Sequence, residues 1–331
     1  MTQRIIRYLI FVQSTQPEID RGWNPSDAES VARELGFVVS EAHVETLESL
    51  INLVDGRTDI MVWPVCYTLG GDINGPLLTN ALESLEVPYV GASAENILLS
   101  SKIAFKAAVS ARTAYPSPAY ELLAPPWSAL GGEIGYPAMV KTEYSANSEG
   151  VRLVRRQEEL VTVCCWLHER YGQRLFIERW ERQREHTVAF IPAVGGEGPW
   201  AAALEISVLE GHDYIDSIAK NDNSLLSFRR PEEQLARELE TCAVDIATNL
   251  GINGHFRLDF VQNQAGTLFT IEANFLPFLT RYQPSQSYFP MAFELGGRLA
   301  YTDIIKLVIL HALERSDAEA DPLIRQNLEM R

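Results

Sequence analysis

Strand-like and helix-like stretches alternate over the first 65 residues of the chain. The stretches IIRYLIFV, FVVSEAHVE and TDIMVWPV are typical of strands, and PSDAESVARELG and TLESLINLV between them are typical of helices. This alternation predicts a parallel sheet covered by helices, because parallel strands need long, usually helical crossovers. The glycine-containing loop over 70–75 follows the third strand. It is expected at the carboxyl edge of the sheet, where α/β proteins bind ligands, although a simple turn explains it equally well.

Length and composition allow two or three domains and exclude several functions. The chain has 331 residues, of which 46% are hydrophobic, so it can bury more than one core. No apolar run reaches the roughly 20 residues that span a bilayer, and the first stretch carries no cleavage pattern, which predicts cytoplasmic residence and no membrane partner. The net charge of -16, without a basic cluster, argues against a nucleic-acid partner. The four cysteines lack metal-ligand spacing and are interpreted as reduced thiols.

Two prolines, Pro116 and Pro118, enforce extended backbone and indicate a domain boundary. Beyond them come the strand PAMVK, the loop TEYSANSEG, the strand VRLV, a helix over 158–171 and the strand RLFIERW. Strand, loop, strand, helix and strand in this order predict a small α+β unit that clamps a nucleotide.

The last region combines strands with two helices. HTVAFIPAV and AALEISVLE are strand-like, EEQLARELETCAVDIATNLG is helix-like, and HFRLDFVQNQ and GTLFTIEAN form a hairpin through a turn at 263–266. One helix over 292–313 is expected to close the region, and a polar tail is expected to be loosely ordered. The predicted divisions are residues 1–95, 96–184, 185–315 and the tail 316–331.

The hairpin carries the strongest chemical pattern. Arg257 and Asp259 lie two apart in one strand, as do Glu272 and Asn274 in the next, so all four side chains can share one face. Three oxygen ligands beside a cation suit Mg²⁺ with a phosphate in its coordination shell. The alternative is a solvated sheet face with ordinary ion pairs.

Lysine is scarce in this chain. Only five of the 28 basic residues are lysines, so arginine is the usual source of positive charge. A compact ammonium on a flexible stem suits phosphate oxygens, which indicates that some of the lysines bind phosphate. Lys106 and Lys306 are instead interpreted as helix surface. The five are Lys102, Lys106, Lys141, Lys220 and Lys306.

Five segments appear in the order found in one protein superfamily: VPYVGASAENILLSSKIAFK, YPAMVKTEYSANSEG, LFIERWERQREHTVAF, INGHFRLDF and FTIEANFLP. With them the chain resembles the ATP-grasp superfamily, and within it the D-alanine:D-alanine ligase-like branch. The resemblance implies the ATP-grasp fold, an N-terminal parallel α/β domain (1–95) followed by two α+β subdomains (96–184 and 185–315) that clamp ATP. It also implies a homodimer, ATP with two Mg²⁺ ions as cofactors, and a small-molecule carboxylate and amine as substrates.

The resemblance assigns roles in nucleotide binding. It implies that Lys102 and Lys141 contact the ATP phosphates and that Lys220 reaches the terminal phosphate when its loop closes. Glu178 would meet the adenine amino group and Glu185 the ribose hydroxyls. The adenine hinge would comprise Ile177, Arg179 and Trp180.

The hairpin residues take catalytic roles by the same resemblance. Asp259, Glu272 and Asn274 match the magnesium ligands, and Arg257 matches the cation that stabilises the acyl-phosphate and the tetrahedral intermediate. The segments over 144–150 and 209–226 are expected to act as lids that exclude water.

The substrate positions depart from the family. Ala146, Asn147 and Ser148 replace a Gly-Ser-Ser core, so Asn147 stands where the family has a serine of a hydrogen-bonded triad. Asn221 stands at the triad tyrosine, and Glu18 is a candidate for its acidic member. Asn147 and Ser148 are retained as candidate catalytic residues. These changes argue against synthesis of D-alanyl-D-alanine for a cell wall.

The second substrate pocket also differs. Phe275, Leu276, Pro277 and Phe278 follow the asparagine, where the family has a small residue and then Pro-Gly, so a phenylalanine reshapes the pocket. A carboxylate could be bound further on, although a loop that merely packs is an alternative. The candidates are Arg281, Tyr282 and Ser287.

The sequence thus predicts an ATP-dependent carboxylate–amine ligase that acts on an amino acid or related small acid, in specialised metabolism. The alternatives are a true D-alanine:D-alanine ligase, another ATP-grasp chemistry on a non-amino-acid acceptor, and a catalytically inactive nucleotide-binding regulatory subunit. No Gly-x-Ser-x-Gly elbow or Gly-x-Gly-x-x-Gly turn follows a strand, so a hydrolase or dehydrogenase is a poor fit.

Overall fold

The structure is a computed structural model. It describes residues 4–15, 24–71, 75, 77–125, 127, 134–145, 147–181, 184–209, 214–281 and 287–329, and the side chains of Asn221 and Asn223 are not among the described parts. Three residues singled out in the sequence lie outside the described residues, as does the side chain of Asn221. They are Glu18, Ala146 and Tyr282.

The N-terminal strands form a parallel sheet, as predicted. Strand β2 lies between β3 and β4 and pairs in parallel with both. Every residue of β4 is buried. A strand buried along its length is typical of a sheet covered on both faces. The elements are β1 (Arg4–Ile6), β2 (Tyr8–Gln13), α1 (Ser26–Glu34), β3 (Val38–His43), α2 (Leu47–Val54), β4 (Ile60–Pro64) and α3 (Leu78–Ser84).

The middle of the chain forms a four-stranded sheet, in which the strands pair in the order β5-β8-β6-β7 and every pair is antiparallel. The hydroxyl of Ser101 accepts a hydrogen bond from the Ala104 N–H and caps α5. Helix α6 ends at Gly172, whose φ of 62° suits glycine. The elements are α4 (Ala94–Ile97), α5 (Lys102–Arg112), β5 (Tyr120–Leu123), β6 (Ala138–Thr142), β7 (Val151–Val154), α6 (Gln157–Tyr171) and β8 (Leu175–Arg179).

A five-stranded antiparallel sheet, in the order β11-β10-β9-β12-β13, lies between two layers of helices. Along β9, Val188 and Phe190 pack with the apolar face of α8, whereas Ala189 and Ile191 pack with α9 and α10. Alternation along the strand thus provides a core on each face. The elements are β9 (Arg184–Ile191), β10 (Trp200–Val208), α7 (Ser217–Asn221), β11 (Leu226–Arg229), α8 (Glu233–Leu250), β12 (Phe256–Gln262), β13 (Leu268–Asn274), α9 (Tyr288–Leu295), α10 (Tyr301–Arg315), β14 (Ala318–Ala320) and α11 (Pro322–Leu328).

The structure corrects two predictions about the C-terminal part. The single helix expected over 292–313 is two helices, because α9 ends at Gly296 and Gly297, and Gly297 takes a left-handed backbone with φ of 62°. The tail expected to be loosely ordered instead forms β14, which pairs in parallel with β1, and α11. Ile324 and Leu328 are four residues apart and bury one face of α11.

Strand β9 begins at Arg184, the last residue of the predicted 96–184 division, and one hydrophobic core contains residues of β2, such as Leu9 and Phe11, together with Ile304 and Val308 of α10. The boundaries near residues 95 and 184 remain a prediction. Across the described residues, every helix is too short or too polar to cross a membrane.

Buried histidines make the stability of the fold depend on pH. Burial lowers the pKa of His186 to about 4, of His255 to about 3 and of His311 to about 4. Histidines in the unfolded chain have a pKa near 6.5. As the pH falls below that value, the unfolded state binds protons at these three histidines while the folded state leaves them neutral, so protonation favours unfolding. The free energy of unfolding is expected to fall by on the order of 1.4 kcal/mol per histidine per pH unit between about pH 6 and 5. Urea denaturation at pH 7.5 and 5.0 measures this loss, and equal values would contradict it.

Candidate active site

The hairpin of β12 and β13 brings four polar side chains to one face of the five-stranded sheet. Arg257 pairs with Asn274, and Asp259 pairs with Glu272 directly across the two antiparallel strands. The register shifts between Asp259 and Phe260, immediately after the second of these pairs. The alternation of strand side chains and this register together place the guanidinium, the two carboxylates and the amide side by side.

Arg257 and Asp259 form a bidentate ion pair. The Arg257 Nε donates to Asp259 Oδ1 at 2.8 Å, and its Nη2 donates to Oδ2 at 2.9 Å. Thr187 of β9 donates a further hydrogen bond to Oδ1 at 2.7 Å. The guanidinium lies 5.6 Å from the centre of the Tyr288 ring. These contacts fix the orientation of both charged groups.

Glu272 is surrounded by lysines. The Lys102 Nζ lies 3.1 Å from Glu272 Oε2 and also donates to the Ser145 carbonyl oxygen and hydroxyl. Burial alone would raise the pKa of the Glu272 carboxyl, but the charges of Lys102, Lys220 and Lys141 outweigh it and hold that pKa well below its usual range. Three of the five lysines therefore line the same cleft as one candidate metal ligand.

Glu178 is buried between two lysines. Its Oε1 pairs with Lys141 and its Oε2 lies 2.8 Å from the Nζ of Lys106. The interpretation of Lys106 as helix surface is wrong, because its side chain is 1% exposed. Lys106 lies one turn after Lys102, on the same buried face of α5. Burial raises the pKa of the Glu178 carboxyl, but the two lysines outweigh it and the pKa lies below its usual value.

A cleft lies between the sheets of the middle and C-terminal regions. Its polar wall includes most of the predicted nucleotide residues and two of the predicted metal ligands, and its apolar wall includes Met139, Val151, Phe260 and Ile271. Ile177 is fully buried in the core instead. The predicted residues that line the cleft are Lys102, Lys141, Ser148, Glu178, Arg179, Trp180, Glu185, Lys220, Asp259 and Glu272.

The two predicted lid segments touch each other at the mouth of the cleft. The Ser148 hydroxyl donates to the Ile215 carbonyl oxygen at 2.9 Å, and Ile215 lines the cleft. Ser148 and its neighbour Asn147 both take left-handed backbone, with φ of 58° and 52°. Asp216 caps α7, the short helix that carries Lys220. The lids are therefore in contact in this structure.

Arg281 and Ser287, the two predicted substrate residues within the described part of the chain, do not line the cleft. The Arg281 N–H donates to Asp27 Oδ2 at 2.7 Å, and its half-exposed side chain lies 3.5 Å from Glu294. Ser287 is buried, and its hydroxyl has no hydrogen-bond partner within the described residues. A buried hydroxyl without a partner is costly, so Ser287 stays a candidate for contact with a ligand.

One contact to the hairpin was not anticipated from the sequence. The Tyr67 hydroxyl lies 2.9 Å from Asn274 Oδ1, and the Leu276 N–H donates to both oxygens. Tyr67 follows β4, so it joins the N-terminal sheet to the candidate metal ligand. Its place beside the loop at the carboxyl edge of that sheet was the available signal.

The donor chemistry fits magnesium bound together with a nucleotide. Mg²⁺ prefers carboxylate and amide oxygens and keeps phosphate oxygens in its shell. Within the described residues, no three His, Cys, Asp or Glu side chains are arranged for a metal ion. A metal at the hairpin would therefore depend on Asn274 and on ligand oxygens in addition to Asp259 and Glu272.

Known proteins resemble this chain in sequence and in fold. The sequence model of the family "D-ala D-ala ligase C-terminus" matches residues 126–310. D-alanine–D-alanine ligase B of Chromobacterium violaceum is 31% identical over 243 residues, which cover 70% of this chain and 74% of that protein. D-alanine–D-alanine ligase of Thermoanaerobacter sp. is 26% identical over 287 residues, which cover 80% of this chain and 75% of that protein.

Solved structures confirm the expected ATP-grasp fold. D-alanine–D-alanine ligase from Bacillus anthracis complexed with ATP superposes with a TM-score of 0.69 at 16% identity, over 94% of this chain and 98% of that one. VanG D-Ala:D-Ser ligase from Enterococcus faecalis superposes with a TM-score of 0.67 at 17% identity, over 92% and 99%. The chain therefore belongs to the D-alanine:D-alanine ligase family of the ATP-grasp superfamily, and it is an ATP-dependent, ADP-forming carbon–nitrogen ligase.

Proposed function

We propose that this enzyme joins an amino acid or a related small carboxylate to an amine through an acyl-phosphate, with a substrate choice other than D-alanine alone. The observation that carries the proposal is that Lys102, Lys141 and Lys220 line one cleft together with Glu272 and with Asp259, the partner of Arg257. Cations for phosphate oxygens and carboxylates for a metal thus occupy one cleft.

These residues have a role in each step of the proposed reaction. The lysines hold the phosphates of ATP while an oxygen of the substrate carboxylate attacks the terminal phosphorus and ADP leaves. Two Mg²⁺ ions, held at Asp259, Glu272 and Asn274, would supply neutralising charge for the transferring group. The amine then attacks the carbonyl carbon, phosphate leaves, and the nitrogen gives up a proton. Arg257 stabilises the negative charge that develops on the carbonyl oxygen.

Altered residues around the substrate support a changed specificity. Asn147 carries an amide where the resemblance leads one to expect a serine, and it has left-handed backbone within the predicted lid. Phe278 is half-buried and packs against the large core shared by the N-terminal sheet and α10. A bulky residue here leaves a pocket of different shape from one lined by glycine.

A second candidate is a D-alanine:D-alanine ligase in the strict sense. The names of the relatives favour it, since those of Chromobacterium violaceum and Thermoanaerobacter are D-alanine–D-alanine ligases. Identities of 31% and 26% leave the substrate pair open.

Release of ADP over a panel of acids and amines distinguishes the two candidates. The panel contains D-alanine, L-alanine, D-serine, β-alanine and small acids without an amino group, each alone and in pairs, and hydroxylamine is added to trap an acyl-phosphate. We expect the fastest turnover with a pair other than two D-alanines. Fastest turnover with D-alanine alone would contradict the proposed specificity, and no ADP release with any acid would contradict the proposed reaction.

A further inference from the structure

Lys106 lies beneath the nucleotide cleft. Lys102, one turn earlier on α5, lines the cleft, whereas Lys106 does not and is 1% exposed. The Lys106 Nζ lies 5.8 Å from the centre of the Tyr120 ring. A lysine in this position is out of reach of a bound ligand, so any role in binding must pass through a neighbour.

That neighbour is Glu178. The Nζ of Lys106 and Oε2 of Glu178 meet as an ion pair at 2.8 Å, and neither atom has another hydrogen-bond partner within the described residues. Oε1 of the same carboxylate pairs with Lys141, which does line the cleft. One buried carboxylate thus holds two ammonium groups, of which only Lys141 can reach a ligand.

The charges of the three groups determine what Lys141 can do. A buried carboxylate requires a cation, because an unpaired buried charge is strongly unfavourable. If Lys141 were the only partner of Glu178, moving it to a phosphate would leave that carboxylate unpaired. With Lys106 in place, Glu178 stays paired and one positive charge is free to move.

We propose that Lys106 is the permanent counter-ion of Glu178, and that it allows Lys141 to exchange this carboxylate for a phosphate oxygen when the nucleotide enters the cleft. The inference rests on the proposed binding of ATP in this cleft. Lys106 is therefore a positioning residue that acts through Glu178 and Lys141, and it also keeps Glu178 ionised as a hydrogen-bond acceptor at the wall of the cleft.

Direct binding of the ATP analogue AMP-PNP with Mg²⁺, measured by calorimetry, tests the proposal without catalysis. Lys106→Met is expected to raise the Kd at least tenfold, because Lys141 then remains on Glu178. Adding Glu178→Gln removes the charge that traps Lys141, so the double variant is expected to bind within about threefold of Glu178→Gln alone. Lys306→Met, which removes a lysine from α10, is the matched control and should bind like the wild type.

Each other outcome overturns the inference. A Kd for Lys106→Met equal to that of the wild type means that Lys141 leaves Glu178 unaided. An equal loss in the wild-type and Glu178→Gln backgrounds means that Lys106 acts only through packing. Thermal unfolding reports whether each variant folds. If Lys106→Met does not fold on its own, the double variant Lys106→Met/Glu178→Gln still tests the proposal. A Kd for this double variant more than tenfold above that of Glu178→Gln overturns it. Wild-type protein that binds no AMP-PNP would overturn the proposed function as well.

Discussion

Glu272→Gln is expected to lower the rate of ADP release by a factor on the order of 10²–10³ while the protein stays folded. The substitution keeps the shape of the side chain and removes its charge. A neutral amide binds a divalent metal less strongly than a carboxylate, and it also loses the ion pair to Lys102 at 3.1 Å. Steady-state ADP release at saturating substrate measures the effect, and thermal unfolding confirms the fold.

The matched control is Glu233→Gln on α8. Glu233 contacts Arg230 and Arg237 at the surface of the same region, and it does not line the cleft. This change is expected to leave ADP release within about twofold of the wild type, since exposed ion pairs contribute little. A rate of ADP release in Glu272→Gln equal to that of the wild type would contradict the proposed role of the hairpin in the reaction.

Arg257→Lys should lower the rate at saturating ATP by a factor on the order of 10²–10³ and leave the Kd for AMP-PNP with Mg²⁺ nearly unchanged. A lysine keeps the charge but loses the planar fork that donates to both oxygens of Asp259. The proposed role of Arg257 is in the stabilisation of charge that develops during the reaction, so the loss is expected in turnover rather than in binding.

Comparison of Arg257→Ala with Arg257→Lys separates the effect of the positive charge from that of the shape of the guanidinium. The free energy of unfolding of Arg257→Ala is expected to drop by about 3 kcal/mol, because among the described residues Asp259 then keeps only the hydrogen bond from Thr187. Arg257→Lys should lose far less stability. Equal turnover in Arg257→Lys and the wild type would show that the fork is not needed, and an equal loss of stability in both variants would contradict the role assigned to the charge.

Local patterns predicted the hairpin and its neighbours well. Residues two apart in a strand share a face, which puts Arg257 with Asp259 and Glu272 with Asn274. The turn at 263–266 alone would set Asp259 opposite Ile271, and the register shift between Asp259 and Phe260 sets it opposite Glu272 instead. The parallel N-terminal sheet followed from its alternation of strands and helices in the same way. These features depend on residues close in sequence, which is why sequence alone identified them.

The position of Lys106 was missed although its spacing contained the signal. It lies four positions after Lys102, so both lie on one face of α5, and Phe105 and Val109 are buried on the same side of the helix. A lysine is usually exposed, and its burial here depends on a carboxylate 72 positions further along the chain at Glu178. The partner and the burial are both tertiary features.

Other misses have similar causes. The contact of Tyr67 with Asn274 joins residues 207 positions apart, which no local pattern reveals. The C-terminal segment forms α11, which buries Ile324 and Leu328. These two residues stand within a largely polar stretch of sequence, which is why the sequence predicted a loosely ordered tail. The two glycines that separate α9 from α10 were an available helix-end signal.

Charge exchange is the common principle of the site. In this structure the cations expected to bind phosphates are paired with carboxylates: Lys102 with Glu272, Lys141 with Glu178, and Arg257 with Asp259. Phosphates of a bound nucleotide would take up these cations, and a divalent metal would bind the carboxylates of Asp259 and Glu272 that they leave. The site is therefore expected to bind the two together far better than either alone.

The location of bound metal tests this account most directly. Crystals of the protein grown with ADP and Mn²⁺, and measured for anomalous scattering of manganese, locate each ion. We predict manganese peaks in contact with oxygens of Asp259, Glu272 and Asn274, with Lys102 moved from Glu272 to a phosphate. Bound ADP with no manganese at these three residues, or with Lys102 still paired to Glu272, would contradict it.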